Sequence, residues 1–157
     1  MHRVALLIGG NQGDRRQLIN QATELIRQRI GSVVAFSKVH ETEPWGDFEG
    51  NDTRAFLNRA LLVETELSAE ETLHAALEIE NALGRKRHPS AKKYQSRPMD
   101  IDIIFYDNEV IDTPDLVVPH PRMHLRRFVL EPLAEIMPDY VHPLLEASVV
   151  EIAKTCQ

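Results

Sequence analysis

Two carboxylates two residues apart, Asp100 and Asp102, stand in the stretch Arg97-Pro98-Met99-Asp100-Ile101-Asp102-Ile103-Ile104-Phe105-Tyr106. The stretch reads as a buried strand: β-branched and aromatic residues, no glycine, and a proline only at its start. Strand side chains alternate, so Met99, Ile101, Ile103 and Phe105 are expected on one face and both acids on the other. Residues two apart on a strand have Cα atoms roughly 6.5–7 Å apart. Their carboxylates can lean together on one metal ion, or on a pair of ions about 3.5–4 Å apart. Burying two acids without a cation is costly. The bland alternative is a solvated edge face, or ion pairs with nearby arginines. Upstream runs a basic stretch: Arg85, Lys86, Arg87, Lys92, Lys93 and Arg97, with no acid between Glu80 and Asp100. Acids for a hard cation beside bases for phosphate suggest a magnesium–nucleotide site.

The elements that must position these groups can be read from pattern. Val4 to Ile8 is a continuous apolar run and reads as a central strand. Gly9-Gly10-Asn11-Gln12-Gly13-Asp14 follows as a glycine-rich turn, but no Lys-Ser or Lys-Thr completes a Walker loop. Asp14 is a candidate N-cap, with Gln17 as its capping-box partner. Leu18, Ile19, Ala22, Leu25, Ile26 and Ile30 then recur at helical spacing, and Gly31 can end that helix. Ser32 to Thr42 reads as a strand. Glu43 to Thr53 reads as a loop whose Trp45 and Phe48 either close over a ligand or pin the loop to the core. Phe56 to Thr65 is a further strand, with Phe56, Asn58, Ala60 and Leu62 on one face. Asn58 among apolar neighbours is either satisfied structurally or reads a ligand edge.

Ser68 and Glu71 form the capping box of a second helix, which Gly84 ends. On its stripe of Leu73, Ala76, Leu77 and Leu83, Glu80 is the misfit: an ion-pair partner for Arg85 or Arg87, or a ligand contact. After the acidic strand come a turn at Asp107-Asn108, short extended pieces at Glu109 to Ile111 and Leu116 to Val118, and the run Pro119-His120-Pro121-Arg122-Met123-His124. Helical spacing resumes through Phe128 to Leu133, stops at Met137-Pro138, and returns from about Ser148. The order strand, helix, strand, strand, helix, strand is the split βαβ of a ferredoxin-like α+β fold. It predicts a mostly antiparallel sheet, helices on one face and a C-terminal extension, within a single domain over 1–157. The first and last strands of that unit would be central neighbours, which brings the glycine turn close to the acid pair.

Composition narrows the classes. The chain has 157 residues, 43% apolar and 27% charged, with a formal net charge of −6. That balance argues against a general nucleic-acid binder. Six of its 18 Lys and Arg residues lie between positions 85 and 97, a local anion site on an acidic chain. Its single cysteine, Cys156, allows no internal disulfide, which fits a reducing cytoplasm. The opening apolar run is too short for a signal peptide, and no stretch approaches the roughly 20 apolar residues of a membrane span. The other histidines, His2, His40, His74, His88, His124 and His142, show no metal-ligand spacing.

Taken together, "ALLIGGNQGD", "ETEPWG", "FLNRALLVET", "IENALGR", "RPMDIDIIFYD" and "VPHPRMHLRRFVLEPLAEI" resemble the 6-hydroxymethyl-7,8-dihydropterin pyrophosphokinases of folate biosynthesis. The resemblance implies the ferredoxin-like fold and transfer of a diphosphate from ATP to the pterin hydroxymethyl group, releasing AMP. It implies that Asp100 and Asp102 hold two Mg²⁺ ions, with Arg85 and Arg97 as mobile catalytic arginines. ATP would also meet Glu80, Arg87, Lys93, Tyr94, Ile103, His120 and Arg126. The pterin would stack between Phe56 and Phe128, bonded by Asn58 and by groups near Gly10, Thr42 and Trp45. Arg126 rather than its neighbour Arg127 is expected to face the site. The family reading implies a cytoplasmic monomer with no nucleic-acid or membrane partner. A non-catalytic ligand sensor on the same layout is the competing reading, because fold alone does not fix function. An RNA-binding module is disfavoured by the charge and by the lack of an aromatic motif on the central strands.

Overall fold

The computed structural model describes residues 1–11, 13–42, 55–84 and 99–156. Its strands are β1 (His2–Gly10), β2 (Ser32–Phe36), β3 (His40–Thr42), β4 (Phe56–Thr65), β5 (Asp100–Tyr106), β6 (Ile111–Asp112) and β7 (Val117–Val118). Its helices are α1 (Arg15–Arg29), α2 (Ala69–Ala82), α3 (Arg127–Ile136) and α4 (Val149–Thr155), with a 3-10 turn at Met123–Leu125. The main sheet runs β2-β4-β1-β5, with β3 also paired to β4, and every pairing is antiparallel. β6 and β7 form a separate two-stranded piece.

β1 is central because its sequence allows nothing else. Val4, Leu6 and Ile8 are fully buried against α1 and α2, while Ala5 and Leu7 are buried on the opposite face with α3 and α4. A strand buried on both faces reads as an unbroken apolar run. Burying each such large side chain contributes about 1.5–3 kcal/mol. The two helices of the split βαβ cover one face, as expected. The C-terminal extension covers the other: Val129, Leu130, Leu133, Val149 and Ile152 pack on Ala5, Leu7, Ala60 and Phe105. Among the described residues no helix is long and apolar enough to cross a membrane.

The helix ends follow their caps. Asp14 accepts the Gln17 N–H at 3.2 Å, so Gln17 contributes its backbone to this cap. Ser68 with Glu71 and Ser148 with Glu151 form complete capping boxes. Gly84, at φ +100°, supplies the left-handed residue past α2. Gly31 follows the α1 C-cap Ile30 and donates its N–H to Ile26 O at 3.1 Å, as expected of a residue that ends the helix, and it has a second reason. A Cβ there would stand 2.0 Å from the Glu64 carbonyl oxygen, so the glycine is required by close approach to β4.

Several boundaries depart from the periodicity. Gly9 and Gly10 belong to β1, so the turn starts at Asn11. The stretch 32–42 is two strands, because Ser37 leaves the ladder: its N–H donates to Ala60 O and its Oγ accepts the Ala60 N–H. The short strand after the turn is Ile111–Asp112, held by Val117–Val118. β5 pairs with β1 but is the outer strand of the described sheet; β1 and β4 are central. Phe105 does not share the face of Met99, Ile101 and Ile103. Ala5 pairs with Phe105 and Leu6 with Ile103, so Ile104 is an extra residue, and this bulge turns Phe105 toward α3 and α4.

The extension is anchored by His142, 4% exposed, whose Nδ1 accepts the N–H groups of Leu144 and Leu145 at 3.1 and 3.0 Å. Its ring meets Phe105 edge-on at 5.7 Å. A proton on Nδ1 would break both bonds. Burial first, and then the charge of His124, hold the His142 pKa below its ordinary value. The unfolded chain takes up that proton near pH ~6.5, whereas the folded chain resists it. This contribution is therefore complete above that pH and is lost as pH falls through the lower folded value. Thermal unfolding followed from pH 8 down to 5 should show a fall in Tm that is shallower in His142→Ala. An unchanged slope in that variant would remove His142 as its source.

Candidate active site

Strand register, more than any loop, assembles the site. Asp100 pairs with Gly9, Gly9 with Asn58, and Asn58 with His40. Asp102 pairs with Leu7, and Leu7 with Ala60. Residues directly opposite on neighbouring strands share a face. Both acids and Asn58 therefore lie on the face that α3 and α4 cover further along, and Phe56 joins them by alternation. Each antiparallel step spans about 4.5–5.5 Å between Cα atoms, so the backbones of Asp100 and Asn58 are about 10 Å apart. Between them Gly9 offers no side chain, and Asn58 Oδ1 leans into the space that a Cβ would need.

Asn58 is 5% exposed, and its Nδ2 donates to Thr42 Oγ1 at 3.1 Å, which binds the expected amide to the expected β3 residue. β3 is tied in turn to α3: Glu135 accepts the Lys38 N–H at 3.1 Å and contacts His40 Nε2. Glu135 lies 95 residues from His40 in the chain, and no local pattern signals that link. Gly10 pairs with Leu57 in the same ladder.

The phosphate-side residues meet at the other flank. His120 donates its backbone N–H to Ile104 O at 3.0 Å, which fixes it beside β5. Its pKa is pushed down by burial first and by Arg126 and Arg122 next, while Asp100 opposes them. His120, Asp100 and Arg126 are thus within electrostatic reach of one another. Arg126 is half-buried with its guanidinium 5.7 Å from the centre of the Phe128 ring, whereas Arg127 is exposed and pairs with Glu131. That is the division expected of the two arginines. Helix α3 starts at Arg127 with no side-chain cap, so its positive end adds to Arg126 in attracting an anion. Phe56 and Phe128 are both half-buried.

Glu80 is 2% exposed, and its Oε2 accepts the Ile101 N–H at 2.6 Å. The misfit on the α2 stripe is thus bonded to the acidic strand itself. The Ile103 side chain, 5% exposed, lies in the core against the helices, so only its main chain is available to a ligand. Asp100 and Asp102 are half-buried. At the far end of β5, His2, Asp107 and Glu109 bring three possible ligand atoms within 4.8 Å. There Asp107 already takes the Arg3 N–H and His2 Nδ1, each at 2.7 Å. Trp45, Arg85, Arg87, Lys93, Tyr94 and Arg97 lie outside the described residues.

The fold is a small α+β frame that gathers acids, an amide and cations on one stretch of sheet. Solved structures titled HPPK-DHPS in complex with substrates, and wild-type Plasmodium falciparum HPPK-DHPS with SDX-DHP, both superpose with a TM-score of 0.75 at 15% identity. They cover 98% of this chain, which spans 43% of theirs, and that likeness speaks for the fold alone. Residues 5–138 match the family described as 7,8-dihydro-6-hydroxymethylpterin-pyrophosphokinase. The 2-amino-4-hydroxy-6-hydroxymethyldihydropteridine pyrophosphokinase of Porphyromonas gingivalis is 38% identical over 141 residues, 89% of this chain and 93% of that protein. The Bacillus subtilis protein of the same name is 41% identical over 138 residues, 87% and 79% of the two chains. The chain belongs to the 7,8-dihydro-6-hydroxymethylpterin-pyrophosphokinase family and is an enzyme of the diphosphotransferase class.

Gly9 gives this geometry its sharpest test. A Cβ there would stand 2.4 Å from Leu57 O and 2.5 Å from Asn58 Oδ1. The first is backbone and cannot swing aside. Gly9→Ala should cost about 1–3 kcal/mol in urea unfolding, as overpacking does. It should also weaken pterin binding, measured by calorimetry, more than nucleotide binding. Equal loss of both would mean that the strain spreads beyond the Asn58 side.

Proposed function

We propose that this enzyme transfers the diphosphate of ATP to the hydroxymethyl oxygen of 6-hydroxymethyl-7,8-dihydropterin, with AMP and the pterin diphosphate as products. The observation that carries this reading is the row Asp100–Gly9–Asn58. An amide suited to a donor–acceptor ring edge and acids suited to a cation–phosphate group share one face, with a bare glycine between them. In the reaction the hydroxymethyl oxygen attacks the β-phosphorus. Its bond to the oxygen shared with the α-phosphate breaks, AMP leaves with that oxygen, and the hydroxyl proton is released.

Asp100 and Asp102 fit Mg²⁺: they are hard oxygen donors, half-buried, two apart on one face, and flanked by His120 rather than by a soft ligand. Two bound Mg²⁺ ions would neutralise the triphosphate and act as a Lewis acid on its oxygens. The chain's own residues do the positioning that phosphoryl chemistry chiefly needs. Asn58, held by Thr42, orients the pterin, with Gly10 and Trp45 adding contacts and Phe56 and Phe128 stacking on it. His120 and Arg126 take phosphate oxygens, Arg126 through a planar fork that stays charged. Arg85, Arg87, Lys93, Tyr94 and Arg97 line the nucleotide side, Arg85 and Arg97 acting on the transferring group. Ile103 completes the nucleotide side through its main chain, and Glu80 stands behind the strand on the Ile101 N–H. The enzyme works as a cytoplasmic monomer, one domain over 1–157, with no nucleic-acid or membrane partner.

The test is a product assay by mass spectrometry with ATP, Mg²⁺ and the hydroxymethyl-dihydropterin. AMP and the pterin diphosphate should appear together. Asp102→Ala should lower turnover by at least about 10²–10³-fold, as loss of a transition-state electrostatic partner does, with little change in Tm. ADP with a pterin monophosphate would place the attack on the γ-phosphorus and overturn the reading. Arg97→Ala should lower kcat far more than it weakens ATP binding, which is the signature of a group used in the transition state. Parallel losses in kcat and ATP affinity would assign Arg97 to ground-state binding.

A further inference from the structure

The bond from Ile101 N–H to Glu80 Oε2, 2.6 Å long, joins helix α2 directly to the acidic strand. Ile101 is the residue between Asp100 and Asp102, and its N–H is given to Glu80 on α2 rather than to β1. Glu80 lies in the last turn of α2, which ends at Ala82, with Gly84 at φ +100° turning the chain away. The chain re-enters the described structure at Met99, fully buried in the same core as Ala76 and Ile79 of α2. The Glu80–Ile101 bond therefore joins the two points between which residues 85–98 run. That segment carries six of the chain's basic residues.

A carboxylate here is an odd choice for structure alone. It is 2% exposed, and its charge meets a residue flanked by two further acids. Burial disfavours a charged group at such a place. A leucine would satisfy the apolar stripe but would leave the Ile101 N–H without this acceptor. What the carboxylate provides is a strong, directional bond to one peptide of β5. Groups that orient metal ligands act in this way from outside the coordination sphere.

We propose that Glu80 is a positioning residue: by accepting the Ile101 N–H, its buried carboxylate sets the strand geometry of the Asp100/Asp102 pair. This rests on the reading of the two acids as the Mg²⁺–nucleotide ligands. Glu80 acts on the strand through the Ile101 peptide, so acceptor geometry is what the variants vary. Glu80→Gln keeps an acceptor oxygen at the same reach, Glu80→Asp shortens the arm by one carbon, and Glu80→Leu removes the acceptor.

Two readouts test this. The first is hydrogen exchange of the Ile101 amide, followed by NMR in the enzyme without ligands. Protection should persist in Glu80→Gln and fall in Glu80→Asp and Glu80→Leu. The second is the kinetic split with Mg²⁺. Glu80→Asp and Glu80→Leu should raise the Mg²⁺ concentration for half-maximal rate by about 10-fold or more, as lost orientation of metal ligands does. They should lower kcat by up to about 100-fold, the effect of an ångström-scale misplacement. Glu80→Gln should stay within about 3-fold of the parent on both, since it keeps the bond that orients the metal ligands. If Glu80→Leu does not fold, Glu80→Asp carries the comparison. The proposal is overturned if ATP KM rises while kcat and the Mg²⁺ dependence hold, if Gln is as damaging as Leu, or if Ile101 protection is indifferent to all three. A parent enzyme that forms no AMP would overturn the assigned reaction instead, while the exchange data would still decide the Glu80 bond.

Discussion

The register of β1 between β4 and β5 is the constraint on which the rest of the structure depends. Val4, Leu6 and Ile8 are completely buried on one face, and Ala5 and Leu7 nearly so on the other. A slip of one residue would carry every side chain to the opposite face. It would also move Gly9 out of line with Asp100 and Asn58. Core formation and site assembly are therefore one event, and the acids are aligned by the burial of aliphatic residues several positions away. Gly9 sharpens the constraint, since the space that a Cβ would need is already held by Leu57 O and Asn58 Oδ1.

The outer strands need separate fixing, because each is held by β1 or β4 on one side only. β5 receives Glu80 on the Ile101 N–H. The β2–β3 side is drawn in at Ser37, whose carbonyl also accepts the Arg59 Nε–H at 3.0 Å. Glu135 then clasps Lys38 and His40. In both cases a helix carboxylate meets backbone or side-chain donors at the strand that bears site residues. Helix α3 serves the site twice, carrying Arg126 and Phe128 at its start and Glu135 near its end. The C-terminal extension thus holds candidate site residues as well as covering the second sheet face.

Legibility in the sequence follows the range of each interaction. Caps at Asp14, Ser68 and Ser148 depend on residues three apart, and a local pattern suffices to place them. Alternation on β4 places Phe56 and Asn58 together because that strand is regular. It fails at Phe105, where a single extra residue reverses the pleat and nothing local announces the bulge. Gly31 reads as a helix stop, but its second reason is a carbonyl of the distant strand β4, which the chain happens to cross there. Glu80 stands out as anomalous on an apolar stripe, yet its partner is a backbone N–H, which no side-chain pattern can reveal. Arg126 is separable from Arg127 only through the motif it sits in. The structure gives the physical reason: the former is half-buried over Phe128, and the latter bonds outward to Glu131 and to the Cys156 carbonyl.

His120 shows how the charges of the site are kept from cancelling each other. It stands between an acid, Asp100, and two arginines, 126 and 122. A charged imidazole there would screen the acids from a metal ion while repelling Arg126. Burial, followed by Arg126, lowers its pKa below the ordinary histidine value against the pull of Asp100, so a proton on the ring is disfavoured. Its Nδ1 faces the Arg122 N–H at 3.4 Å, which favours the proton on Nε2. The imidazole then leaves its Nε2–H as a donor between Asp100 and the two arginines. An overall charge of −6 is compatible with a polyanionic substrate on those terms, because exposed charges are screened over about 8–10 Å and attraction is decided locally.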